Sequence, residues 1–89
     1  MSNPILEKIQ AGAKIIDVRT PDEFMDGAYP GAVNIPVQAL GARLAEIPAG
    51  ASIVVYCASG GRSAMAARML KQAGWSDVVN AGGLDDMPA

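Results

Sequence analysis

The segment "SIVVY", residues 52–56, carries apolar residues on both faces of any strand it forms. That excludes most architectures. A strand at the surface of an antiparallel sheet alternates apolar and polar, whereas one apolar on both sides is covered on both sides, as in a parallel sheet flanked by helices. The remaining segments fit this demand. "KIIDVR" (14–19), "AVNI" (32–35) and "DVVN" (77–80) are short, strand-like and not amphipathic, and helical segments separate them.

"NPILEKIQAG" is expected to be a short helix, capped by Asn3, with Pro4 in its first turn and Gly12 at its close. In "TPDEF", Thr20 and Glu23 stand at capping-box spacing with Pro21 at the first helical position; Gly27, Pro30 and Gly31 then stop the helix. Leu40, Leu44 and Ile47 predict a single helix from about Val37 to Ile47. "SAMAARMLKQAG", starting near Ser63, is the clearest helix, with Ala66, Met69, Leu70 and Ala73 as its buried stripe and Gly74 just past its end. "AGGLDDMPA" is read as loop and tail, with Asp85 and Asp86 solvated, and Met65, Met69 and Trp75 as core or pocket wall. With 89 residues and no linker or repeat, residues 1–89 form a single domain.

Composition narrows the chemistry. A net charge of −2 without a basic face argues against nucleic acid as a partner. No apolar run approaches the roughly 20 residues that span a bilayer, so no membrane partner is expected. The start "MSNPILEKIQ" lacks a basic-then-apolar signal, and the expected compartment is the cytoplasm. There is no histidine, which removes Cys–His and Ser–His–Asp catalysis. The single cysteine, Cys57, leaves no zinc site of the usual kind, no internal disulfide and no dithiol redox pair. No cofactor or metal is implied.

Cys57 ends the buried strand and opens the turn "CASGGRS" into the clearest helix. Ligands of open α/β sheets bind at that edge. Gly60 and Gly61 permit positive φ, so that amides of the loop turn inward as an anion-binding nest, and the helix start adds partial positive charge. A thiol held there ionises more readily than a free one. Arg62 opposes the helix dipole at that position, which makes better sense if an anion sits between it and the amides. The competing reading of Cys57 is an inert buried hydrophobe; the glycines and Arg62 favour the reactive one. Asp17, Arg19 and Glu23 are read as a brace for the active-site edge, through an Arg19–Glu23 ion pair and a hydrogen bond from nearby backbone to Asp17, in preference to an acid–base group.

Three blocks, "IIDVRTPDEFMDGAYPGAVNIP", "IVVYCASGGRS" and "VVNAGGLDD", resemble in order and spacing the rhodanese family of sulfurtransferases, and most of all its single-domain members of the phage-shock protein E type. The resemblance implies a small three-layer α/β/α domain with a mainly parallel sheet of four or five strands; the amino-terminal strand of longer members has no clear counterpart. It departs from the family in having Ala28 and Tyr29 where Gly-His-Ile is usual, and in lacking the terminal helix and tryptophan of many relatives. It implies that Cys57 is the nucleophile that carries a persulfide and that Ala58, Ser59, Gly60, Gly61, Arg62 and Ser63 bind the substrate. Sulfur would pass from thiosulfate or a persulfide to cyanide, a small thiol or a thioredoxin-like acceptor. The alternatives are a persulfide carrier or binding module without turnover, and a phosphatase or arsenate reductase of related fold. The last two need five residues between Cys and Arg, and four lie between Cys57 and Arg62.

Overall fold

The computed structural model describes residues 3–89. The chain runs α1 (Pro4–Gln10), β1 (Lys14–Asp17), α2 (Pro21–Met25), β2 (Val33–Asn34), α3 (Val37–Leu40), a 3₁₀ turn (Leu44–Glu46), β3 (Ile53–Cys57), α4 (Gly61–Gln72), β4 (Val78–Gly83) and a second 3₁₀ turn (Leu84–Asp86). The four strands form one fully parallel sheet in the order β2-β1-β3-β4. Parallel pairing brings the carboxyl ends of all four strands to one edge, and there Asp17, Asn34, Cys57 and Gly83 gather.

β3 is buried over all five residues, as its two-faced apolar pattern requires. Ile53, Val55 and Cys57 face the core formed with Leu40, Ile47, Ala66 and Leu70 beneath α3 and α4. Val54 and Tyr56 face the other layer, where Ile5 and Ile9 of α1 pack with Leu84 and Met87. The sheet therefore lies between two helical layers. Among the described residues, no helix is long and apolar enough to cross a membrane.

Local signals set most element ends. Asn3 accepts hydrogen bonds from the Ile5 and Leu6 amides. The Thr20–Glu23 capping box forms in both directions, behind Pro21 at the first turn. Gly74 takes φ +117 just after α4, whose last turn closes at Ala73.

The single helix expected from Val37 to Ile47 is two pieces. Regular α-helix ends at Leu40, and tighter turns such as Arg43 N–H to Leu40 C=O and Ile47 N–H to Leu44 C=O carry the chain on. Gly41 weakens continued helix, while the tighter winding still delivers Leu40, Leu44 and Ile47 to the core. The clearest helix starts at Gly61 instead of near Ser63. Its buried stripe is Ser63, Ala66, Ala67 and Leu70, with Met69 half-buried and Ala73 exposed. Met65 faces solvent, whereas Met69 and Trp75 do pack on the core. The expected tail is structured: Ala81–Gly83 complete β4, and Met87 and Pro88 are buried.

Candidate active site

Cys57 is the last residue of β3 and only 1% exposed. The chain turns through Ala58 and Ser59 to Gly60, whose φ of +101 is the left-handed conformation that suits glycine. That turn points the Gly60 amide back at the Cys57 sulfur, N···Sγ 3.0 Å. Gly61, expected to share the positive φ, is instead the first helical residue, with open space where a side chain would go. Because the helix begins there, Arg62 and Ser63 lie in its first turn, and the Ser63 hydroxyl comes within 3.3 Å of Sγ.

Two influences act on the thiol. Burial pushes its pKa up; hydrogen bonds from the Ser63 hydroxyl and amide and from the Ser59 and Gly60 amides outweigh burial. The balance lowers it from 9.0 to about 7. The sulfur is thus about half thiolate at neutral pH without a histidine.

The cradle stands on β4, which runs on through Ala81–Gly83, residues expected to be loop. Ser63 Oγ lies 2.7 Å from Asn80 Oδ1, and Asn80 Nδ2 donates to the Gly60 carbonyl at 3.2 Å. The Gly82 amide donates to Asn80 Oδ1, and the Gly83 amide to Asp86 Oδ2 at 2.8 Å, so Asp86 is a cap and not merely a solvated tail residue. Gly83 is required by contact: a Cβ there would sit 2.2 Å from the Ala58 carbonyl oxygen. A glycine pair closing a strand is the signal that backbone approaches closely, and it was present in "NAGGLDD".

The charged brace exists with different partners. Arg19 pairs with Asp17, not Glu23: its guanidinium donates to Asp17 Oδ2 at 2.7 Å and to the Gly27 carbonyl at 2.7 Å. The hydrogen bond from nearby backbone to Asp17 is present, from the Arg19 amide at 2.9 Å. Tyr56, which sequence reasoning did not single out, donates its hydroxyl to Asp17 Oδ2 at 2.7 Å and accepts the Tyr29 amide at 2.9 Å. The Arg19 cation lies 5.6 Å above the Tyr56 ring.

Glu23 pairs with Arg62 in a bidentate fork, at 2.6 and 3.0 Å. The Arg62 hydrogen bond, then the Thr20 amide, holds its carboxyl well down, at about 2. Arg62 is raised in turn, first by Glu23 and in lesser part by the negative charge of Cys57. The two residues are 39 positions apart, and no local pattern announces the pair.

Among the described residues, no group of histidine, cysteine, aspartate and glutamate side chains could hold a metal ion. A cavity of about 370 Å³ lies at the opposite end of the sheet, lined by Ala13, Lys14, Gly31, Val33, Glu46 and Pro48 among others. It shares no residue with the cysteine loop.

The family described as "Rhodanese-like domain" matches residues 3–87. The chain belongs to the rhodanese family. It is 38% identical over 74 residues to the thiosulfate sulfurtransferase PspE of Escherichia coli K12, covering 81% of this chain and 71% of that one. A protein named sulfurtransferase from Allochromatium vinosum is 39% identical over 66 residues, covering 74% of this chain; the chain spans 62% of that relative's length. Among solved rhodanese structures, one from E. coli described as containing anions superposes with TM-score 0.80 at 36% identity, over 86% of this chain and 95% of that one. A Staphylococcus saprophyticus protein superposes with TM-score 0.82 at 34% identity, over 96% and 87%. Among the described residues the sheet has four strands, the smaller of the two expected numbers.

Proposed function

We propose that this rhodanese domain is a sulfurtransferase in which Cys57 carries the sulfur. The observation that carries the reading is a buried thiol at a parallel-sheet edge, supplied with an amide and a hydroxyl that favour its anion. In the first step the Cys57 thiolate attacks the outer sulfur of the donor, thiosulfate or a persulfide. The donor's S–S bond breaks, and sulfite or a thiolate leaves with the electron pair. Cys57 becomes a persulfide anion, and the amides of Ala58 to Ser63 together with the α4 amino end stabilise it. In the second step a thiolate or cyanide attacks the terminal sulfur, takes it away and regenerates the Cys57 thiolate. Neither step needs a metal or an imidazole. The relatives named as sulfurtransferases support this chemistry, and the E. coli relative is by name a thiosulfate sulfurtransferase. The compartment that goes with the reading is the cytoplasm, where a lone thiol stays reduced.

Intact-protein mass spectrometry tests it. Thiosulfate should add the mass of one sulfur atom, and a small thiol or cyanide should remove it. Identical spectra for wild type and Cys57→Ser would end the proposal.

A further inference from the structure

Arg62 is the cation nearest the cysteine loop, yet the structure does not leave it free for an anionic donor. Two of its guanidinium nitrogens are committed to Glu23, at 2.6 and 3.0 Å. Glu23 is itself held from behind, by the Thr20 amide at 3.0 Å and the Thr20 hydroxyl at 3.1 Å, so it cannot swing away without breaking the α2 cap. Both side chains are about one-third exposed, at 37% and 34%, so the pair stands at the surface beside the loop and not in the core. A donor approaching Cys57 therefore meets a neutral ion pair whose carboxylate is fixed in place.

We propose that Glu23 determines donor specificity, discriminating against doubly charged sulfane donors such as thiosulfate and favouring singly charged or neutral ones. The inference rests on the sulfur-transfer reading and sharpens it. Coulomb repulsion is linear in ligand charge. A fixed carboxylate thus penalises a dianion twice as much, in free energy, as a monoanion of the same shape. The Glu23 carboxyl titrates at about 2, which keeps this penalty in force throughout the neutral range. Glu23 hydrogen-bonds to Thr20 and Arg62, and acts through its charge and through its hold on Arg62.

Thiosulfate and methanethiosulfonate make a matched pair of probes. Each presents a sulfane sulfur on an oxidised sulfur, and they leave as sulfite and methanesulfinate; the first is a dianion and the second a monoanion. In double-displacement kinetics, kcat/KM for the donor reports the first half-reaction alone. Glu23→Gln removes the charge and keeps an acceptor for the Thr20 amide. It should raise kcat/KM for thiosulfate by about four- to tenfold and for methanethiosulfonate by only about two- to threefold. The gain should shrink in high salt. Loss of a merely structural ion pair would lower both values. Equal gains, no gain, or a fall for thiosulfate in a folded variant would overturn the inference while leaving sulfur transfer intact. Glu23→Ala makes the same comparison should the glutamine variant not fold. A wild-type chain that accepts sulfur from neither probe would overturn the underlying reading as well.

Discussion

Ser63 has one hydroxyl proton and three claimants for it: Asn80 Oδ1 at 2.7 Å, the Gly82 carbonyl at 3.3 Å and the Cys57 sulfur at 3.3 Å. While Cys57 is a thiol, its S–H can donate to Ser63 and Ser63 to Asn80. Once the sulfur ionises, the Ser63 proton turns to it, and Asn80 keeps the Gly82 amide. The hydroxyl thus favours the thiolate specifically. Alkylation by iodoacetamide followed against pH should show a midpoint at about 7 in the wild type. In Ser63→Ala that midpoint should rise by roughly one to two units, the value of one hydrogen bond to a charged group. An unchanged midpoint would mean that the amides alone set the acidity. Arg62→Ala leaves the Glu23 carboxylate beside the loop without its partner. It should lower kcat/KM for thiosulfate by about tenfold or more, and adding Glu23→Gln to it should recover part of the loss. A double variant no better than Arg62→Ala alone would show that the loss does not come from the unpaired Glu23 carboxylate.

The strand β4 and the loop after β3 meet so closely that one methyl group decides the fit. Gly83 has an ordinary φ of −94, so nothing in its backbone calls for glycine; the Ala58 carbonyl does. Gly83→Ala should therefore destabilise the fold by about 2–3 kcal/mol through overpacking, lowering Tm by roughly 10–20 °C for a domain of this size. Thermal unfolding of the variant checks this, and sulfur loading should suffer with it. Elements whose signals are local were legible in the residues: the Asn3 cap, the Thr20–Glu23 box, Gly74 after α4, and the two-faced pattern of β3. Segment 37–47 was not, because a spacing of three and four residues is met equally by one helix and by two short turns joined at Gly41. The site divides in the same way. Cys57 at a strand end and Gly60 in the turn could be read from neighbours in sequence. The partners of Arg19 and Glu23 could not, since topology lays α2 against the start of α4 and only that choice gives Glu23 to Arg62.

At the scale of the whole molecule, a buried polar network ties β1 and β3 to the Gly27–Tyr29 segment. Asp17 and Tyr56 are fully buried and Arg19 nearly so, and each side chain has its hydrogen-bond partners. Burial, then the Asp17 hydrogen bond among opposing influences, pushes the Tyr56 phenol from 10.0 up to about 12. A raised phenol pKa in the folded state means that the stability tied to the neutral ring is complete below pH 10 and lost as pH rises from there to about 12. About 2–3 kcal/mol is at stake. Urea unfolding across that range should show a steeper alkaline decline in wild type than in Tyr56→Phe. The variant should also start about 1–3 kcal/mol lower at neutral pH, with the Tyr29 amide and one Asp17 oxygen left without this partner. Parallel pairing also has a temporal meaning. The thiol is translated well before residues 80–86, yet those residues hold its cradle in place. On the ribosome, Cys57 should therefore remain an ordinary, sluggish thiol until β4 has emerged and docked, and a nascent chain should be protected from premature modification by its own incompleteness.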